Sequence, residues 1–443
     1  MRGPGRIWLA SALYAIVYTV LGARRYATYH AGSDLGLFTQ SIAAAFSGFA
    51  NTTEGASHFT FHFSPILYLC APFLIALHSP LALVAIQAIA GALVAPPLYL
   101  LARKRLPDSL ASGVALVALV YPPLAGVTFA DFHENGFAPA ATLWLIWAVD
   151  AGRLRTAALA ALAALAIKED QAVLLAGVGI VAAVWYARDG DARRARFAFA
   201  VSIVALATFV SFFTIVRGAA GATTPWAPTH FYAWGHADAR GEAPWYSIGR
   251  PAYVLEALVP LAFVALASPA IVLALPGFTE VLASHESITY TMGQHYAGVW
   301  IGYVLAAFAL GLANVYARSP VVATRLLRAS LVACVLVLAV ASPTHWGHNL
   351  HARVAHDRAR DRVLARLEPG LDVGASDALY AHLGFDPRAR LGLDGAPRYA
   401  LVDAKDRTSF FDAHWAPIVA SAASPYRLLW EDDGLGLYER KAL

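Results

Sequence analysis

Six short polar segments interrupt an apolar sequence, and each carries side chains able to move a proton or steady a charge. Asp34, in Gly32-Ser33-Asp34, precedes Leu35, Leu37 and Phe38, so it stands where a helix meets an apolar surface. Two roles fit that position. One is a helix N-cap supplied by Ser33 or Asp34; the other is a partly desolvated carboxylate whose pKa rises toward a general base's working range. His58 and His62 are four apart, which suits two metal ligands on one helix face, but Pro65 and the Thr/Phe content favour an extended segment. Asp131 and His133 are two apart, so in a strand-like turn they point the same way, as a carboxylate–imidazole base or metal arm. Glu134 and Asn135 beside them also suit helix capping. Lys168-Glu169-Asp170 breaks an alanine-rich apolar run at a turn between two spans, and Lys168 suits a compact charge for a phosphate group. Ser284-His285-Glu286 and Gln294-His295-Tyr296 flank a further loop and could complete a polar cavity. No Gly-rich phosphate loop, zinc motif or nucleophile elbow is present.

The elements that must hold these groups are membrane spans. Of 443 residues, 58% are hydrophobic and 14% charged, about half the usual charged share. The mean hydropathy of +0.55 leaves lipid as the solvent for most of the chain, excluding a soluble enzyme, a nucleic-acid reader and a disordered protein. Cys70 and Cys334 lie in apolar runs and read as small hydrophobes. Apolar runs predict eleven spans: roughly 6–23, 81–102, 110–128, 134–150, 156–168, 171–187, 197–217, 251–267, 269–283, 296–316 and 325–342. The first is read as an uncleaved helix. The run 64–78 is too short to cross and begins with Ser-Pro, so it is expected as a re-entrant or interfacial helix.

Counting cations orients this arrangement. Fourteen Lys and Arg residues, from Arg2 to Arg328, fall in short segments on one side, and six fall in the much longer loops of the other. The first side is therefore cytoplasmic, with the N-terminus there, and the +4 net charge reflects topology instead of nucleic-acid binding. The ten histidines before the tail and most acids, including Asp238 and Glu242, then gather on the outer side. Chemistry is expected on that face. The outer loop 218–250 is rich in aromatics (Trp226, Tyr232, Trp234, Trp245, Tyr246) that either anchor in headgroups or stack on sugars.

Residues 1–343 form the membrane domain, and 344–443 a small α/β extracytoplasmic domain. In the latter, a helix over 349–367, strands at 372–376 and 399–404, a helix at 412–422 and an Asp-Gly hairpin through 426–440 are predicted. Asp403 and Asp406 stand at a strand end, as loop acids or binding groups.

DLGLFTQ at 34–40, HFSP at 62–65, DFH at 131–133, KED at 168–170 and QHY at 294–296 occur in an order that resembles the multi-pass membrane family called domain of unknown function 2079. That family is similar to the GT-C superfamily of integral-membrane glycosyltransferases, which place a catalytic acid in the first outer loop and use polyprenyl-phosphate sugars. The resemblance implies an all-α polytopic, GT-C-like membrane domain and transfer of a sugar from such a donor to a glycan, lipid or protein acceptor at the outer face of the cell membrane. It implies Asp34 as general base, with Asp131 and His133 completing the catalytic set. Leu35 stands where many relatives have an adjacent second acid. His58, His62, Lys168, Glu169, Arg250, Glu286, His295 and Tyr296 are the expected substrate-binding residues. Asp34, Asp131 and His133 are the candidate ligands should a divalent cation, magnesium or manganese, take part. A transporter or flippase of a polar or lipid-linked solute, and a non-catalytic scaffold, are the alternatives. Polar groups gathered at one face, with no repeated halves, argue against transport.

Overall fold

A computed structural model describes residues 3–223, 225–226, 231–232, 246–406 and 410–441, the side chains of 410–413 excepted. Trp234, Trp245, His230, His236, Asp238, Arg240 and Glu242 of the long aromatic loop lie outside the described residues.

Among the described residues six helices are long and apolar enough to cross a membrane: Gly3–Ala27, Leu81–Ala102, Glu169–Arg188, Ala192–Ala219, His295–Arg318 and Pro320–Val340. A bent pair, Asp108–Leu119 with Pro122–Phe129, makes a seventh if it is one span. The other expected spans are shorter for a local reason. Ala138–Asp150 and Leu154–Leu165 hold 13 and 12 residues, about 20 Å of helix against a hydrocarbon core of about 30 Å. The stretch 251–283 is punctuated by Pro251, Pro260, Pro269 and Pro276 and breaks into two α-helices, Gly249–Leu258 and Leu275–Ala283, separated by 3-10 turns. His295–Arg318 is the central helix, its side chains almost wholly buried from Gly298 to Ala309. The outer helices keep a lipid-facing stripe, with Leu9, Leu13, Ile16 and Val20 exposed on the first.

The run 64–78 forms a 3-10 turn, Pro65–Leu69, and a seven-residue helix, Ala71–Leu77. Ile66, Leu67, Cys70 and Leu74 are buried, while Tyr68, Leu69, Phe73 and Leu77 are exposed. The segment is apolar on both faces yet too short to span.

At the end where Lys104 and Arg105 both pair with Asp150, Arg194 donates to the Val149 and Asp150 carbonyls. Five of the six polar segments singled out above contribute side chains to a separate cavity.

The tail is a five-stranded mixed sheet. A short hairpin in the first loop supplies β1 (Ala50–Asn51) and β2 (Ala56–Ser57). The tail contributes β3 (Val373–Ala375), β4 (Arg390–Leu391), β5 (Tyr399–Asp403), β6 (Tyr426–Asp432) and β7 (Leu435–Arg440), in the order β4-β3-β5-β7-β6. The β6–β7 turn has Asp433 and Gly434 both at positive φ (52° and 87°), as a two-residue hairpin with strand-matched twist requires. The helix expected over 349–367 is confined to Ala355–Leu364, and Asp377–Leu383 and β4 are additional elements. Asp403 is buried and bound to His356 Nε2 at 2.8 Å, and Arg360 bridges Asp403 and Asp406. Both acids therefore brace the sheet to its helix.

The tail packs on the helix Ser33–Ala43, which carries Asp34. A Cβ on Gly36 would lie 2.7 Å from the Tyr380 ring, and one on Gly384 would lie 2.7 Å from Thr39 Cβ and 2.8 Å from the Gly36 carbonyl oxygen. Only glycines permit this approach. Around it, Tyr380 donates to Gln40 Oε1 (3.1 Å) and Gln40 Nε2 to the Asp386 carbonyl (2.7 Å). His382 lies between the rings of Tyr26 and Tyr29, at 3.9 and 4.2 Å. Gly384→Val is expected to force the tail off this helix, lowering stability by about 1–3 kcal/mol. Thermal unfolding and protease cleavage in the irregular segment 351–354 measure it; an unchanged melting temperature with that segment protected contradicts it.

Candidate active site

Asp34 lies in the first turn of Ser33–Ala43, but it does not cap the helix. Gly32 is the N-cap, in an extended conformation, with no side-chain cap bond. The Gly32 N–H donates to Asp131 Oδ2 at 2.8 Å, and Asp131 pairs with Arg25 at 2.9 Å. The Asp34 side chain is thereby free for the cavity, with Oδ2 3.9 Å from His295 Nδ1.

One buried amide sets the neighbouring loop. Gln87 Nε2 donates to the carbonyls of Val127, Ala130 and Asp131, and Gln87 Oε1 accepts the His133 N–H at 2.9 Å. The chain bends at 130–131, which breaks the expected alternation. Asp131 faces Arg25, and His133 alone faces the cavity. Gly298 sits so close to the Asn135 carbonyl oxygen that a Cβ there would clash, and this approach lays His295 flat on His133, centroids 3.5 Å apart and planes 6° apart. His133 Nδ1 accepts the Asn135 N–H, which leaves a neutral ring with its proton on Nε2. Burial first, then the nearby His295 and Lys168, lowers the His133 pKa well below the usual imidazole range.

The HFSP segment is clamped to the start of the helix Glu169–Arg188. Glu169 accepts from His62 Nδ1 and from the Phe63 N–H, both at 2.8 Å, at a helix N-terminus that favours the negative charge. His58 opens a 3-10 turn and pairs through Nδ1 with Glu54 at 2.9 Å. The two imidazoles do not share a helix face. Lys168 is buried, 3.7 Å from Asp170. Burial opposes its charge, but the carboxylates of Asp170, Glu134 and Glu169 outweigh that and raise its pKa, so it stays protonated.

These groups line one cavity of about 1010 Å³, at the large end of ligand sites. Its polar end holds Asp34, Glu54, His58, His62, His133, Lys168, Glu169, Asp170, His295 and Tyr296. Its other end is an apolar groove between spans, walled by Val173, Leu174, Gly177, Val181 and Phe209 on one side and Val272, Leu275 and Pro276 on the other. Trp226 and Tyr232 of the aromatic loop line it too, and Trp226 Nε1 is tied to the Phe61 carbonyl at 2.6 Å. The Asp34 side chain, which lines this cavity, is 42% exposed. Burial, then the negative charges of Asp131 and Glu134, push its pKa up to about 7, with Lys168 and Arg25 opposing.

The cavity brings together Asp34, His133, His58, His62, Lys168, Glu169, His295 and Tyr296, but not Asp131, Arg250 or Glu286. Arg250 donates to the carbonyls of Leu282 and Ser284 and stacks over Tyr290, which fixes the loop behind the wall. Glu286 lies beside His285 at 3.7 Å, outside the cavity lining. The three candidate cation ligands are therefore not assembled: Asp131 is spent on Arg25 and Gly32. Among the described residues no group of three His, Cys, Asp or Glu is arranged to hold a metal ion. Glu280 and Glu54 enter the lining unexpectedly. Glu280 shares a hydrogen bond with Asp170, and its lone carboxylate inside an apolar run was the available signal.

Residues 24–231 match the family model DUF2079, described as a predicted membrane protein. No curated protein matches the sequence. Among solved structures the chain is similar to ArnT from Cupriavidus metallidurans bound to undecaprenyl phosphate, with 14% identity, a TM-score of 0.60 and 98% of each chain covered. The same protein in the apo state gives 15%, 0.59 and 97% of each chain. The apo oligosaccharyltransferase of Archaeoglobus fulgidus gives 12% and 0.44, over 86% of this chain and 64% of that one. The chain is a membrane protein with transmembrane helices and a GT-C-like fold.

Proposed function

We propose that this chain, which carries the DUF2079 region in a GT-C-like fold, is a membrane glycosyltransferase that moves a sugar from a polyprenyl-phosphate donor to a hydroxyl acceptor at the outer face of the cell membrane. What carries the reading is the single cavity with two chemically distinct ends. Four carboxylates, Asp34 among them, a buried lysine and four imidazoles meet at one end, and an apolar groove lined by aliphatic side chains leaves from the other. The solved ArnT structure with undecaprenyl phosphate supports the same class of lipid.

In the proposed reaction the acceptor oxygen attacks the anomeric carbon as the carbon–oxygen bond to phosphate breaks. Asp34 takes the acceptor proton, and the electron pair leaves with the phosphate, whose charge Lys168 stabilises. Neutral His133, stacked on His295, offers an Nε2–H to a sugar or acceptor hydroxyl. Asp131 acts as a positioning residue through Gly32 and Arg25, and no step passes through a metal.

The test is reconstitution in proteoliposomes with labelled polyprenyl-phosphate sugars. Label joined covalently to an acceptor, with release of polyprenyl phosphate, supports transfer. Translocation of intact donor without a covalent product supports a flippase instead. Asp131→Asn adds a sharper expectation. Loss of its negative charge lowers the Asp34 pKa, so the pH at which activity rises should move downward, with a rate loss of about tenfold from the freed Gly32–Arg25 loop. An unmoved pH profile would separate Asp131 from Asp34.

A further inference from the structure

Glu54 and His58 form a pair that the proposed mechanism leaves unused. His58 is fully buried and lines the polar end of the cavity. Its Nδ1 lies 2.9 and 3.1 Å from the two carboxylate oxygens of Glu54. Glu54 is itself fixed: Asn51 Nδ2 donates to Glu54 Oε2, and the Glu54 N–H donates to Asn51 Oδ1 at 2.8 Å. The β1–β2 hairpin at 50–57 holds this arrangement in register. The other ring nitrogen, His58 Nε2, is buried and has no hydrogen-bond partner among the described residues. An unpartnered buried ring nitrogen costs about 1–3 kcal/mol, and His58 is one of the residues that line the cavity.

We infer that the Glu54–His58 pair is an anion subsite, presenting an imidazolium Nε2–H to a phosphate oxygen of the lipid donor. Glu54 favours the cation because it accepts from Nδ1 and supplies the balancing charge at contact distance. The other charged or titratable neighbours are His62 on the same loop, Glu134 and His133 on the 131–137 segment and Glu169 at the start of its helix. Burial alone would lower the His58 pKa, but the three carboxylates outweigh it and the net shift is upward. Lys168 and His58 would then hold the phosphate from two sides, the lysine as a point charge and the imidazolium as a directional donor. Asp34 is left to the acceptor hydroxyl. The identity of the anion as a lipid-linked phosphate rests on the transferase reading; the subsite itself rests on the geometry of Glu54 and His58.

The test is direct binding of undecaprenyl phosphate to the full chain in nanodiscs. Measurements run above about pH 7, where a phosphate monoester is already mostly dianionic, in an Asp34→Asn background that removes the other group titrating nearby. Affinity is expected to fall as pH rises and His58 loses its proton. Glu54→Gln should weaken binding about 10- to 100-fold and flatten that pH dependence. His58→Gln, which keeps an amide donor near Nε2 but no charge, should weaken binding less and remove the pH dependence. In protein labelled with 15N-histidine, the His58 Nε2 resonance should move when the lipid is added, a readout that needs no variant. Unchanged affinity and pH dependence in both variants, or an unmoved resonance, overturns the subsite. Sugar transfer by the chain with Asp34 intact, together with unchanged phosphate affinity in both variants, overturns the subsite alone. Binding with the expected pH dependence, when the chain with Asp34 intact transfers no sugar from any donor, supports the subsite and overturns the transferase reading.

Discussion

Asp34→Asn is expected to abolish sugar transfer, with a fall in kcat of about 10²–10⁴-fold, the usual worth of a positioned general base. The substitution is nearly isosteric and removes only the ability to take a proton. The Asp34 carboxylate makes no cap bond to its helix, so its loss leaves the fold intact. A second expectation comes from its pKa of about 7. Asp34 is protonated, and idle as a base, below that value, so the wild-type rate should climb with pH through about 7 and level off above it. The same residue in water, at a carboxylate's ordinary pKa, would show no such rise near neutrality. In Asp34→Asn the residual rate should lose this limb. A residual rate that keeps it would assign the limb to another group. Binding of polyprenyl phosphate should persist, because the carboxylate faces the acceptor side of the reaction.

Lys168→Gln is the second large effect. Among the described residues Lys168 is the only lysine or arginine in the cavity lining, and it faces the carboxylates of Asp170, Glu134 and Glu169. Removing a preorganised charge aimed at a leaving phosphate should lower kcat/KM by about 10²–10³-fold. It should also raise the Asp34 pKa further, since Lys168 is one of the two cations that hold it down. The pH limb should then move upward, opposite to the shift expected for Asp131→Asn. These opposed shifts separate an electrostatic role from general damage, which would move both profiles alike or neither. A purely structural lysine would lower the melting temperature without displacing the limb.

Some of this was readable from residue types alone. Asp34, His133 and Lys168 stand out because ionisable groups beside apolar runs are expensive and therefore informative, and all three line the cavity. Asp131 does not join His133 because a two-residue spacing keeps both side chains on one face only in an unbroken strand, and a bend at 130–131 turns it toward Arg25. Arg250, expected as a substrate-binding residue, stacks on Tyr290 and binds loop carbonyls. Glu54 gave little signal in an ordinary polar loop; only the hairpin that returns it to His58 reveals its use. The β6–β7 turn was legible because Asp433-Gly434 encodes its own φ values. The seat of the tail was not, because it depends on Gly36 and Gly384, far apart in sequence, meeting at closest approach. Span lengths failed where prolines cut 251–283, since hydropathy reports burial in lipid and not continuity of a helix.

The central claim is that a lipid-linked sugar occupies this cavity with its phosphate among the imidazoles and Lys168 and its chain in the groove. The measurement that tests it most directly is photo-cross-linking in native membranes with a polyprenyl-phosphate sugar carrying a photoreactive group in its first isoprene units. The prediction is adducts on the groove walls, at Val173, Leu174, Val181, Val272 or Leu275, suppressed by excess polyprenyl phosphate. Adducts confined to lipid-facing positions such as Val332 and Leu336, unaffected by that competitor, would contradict it.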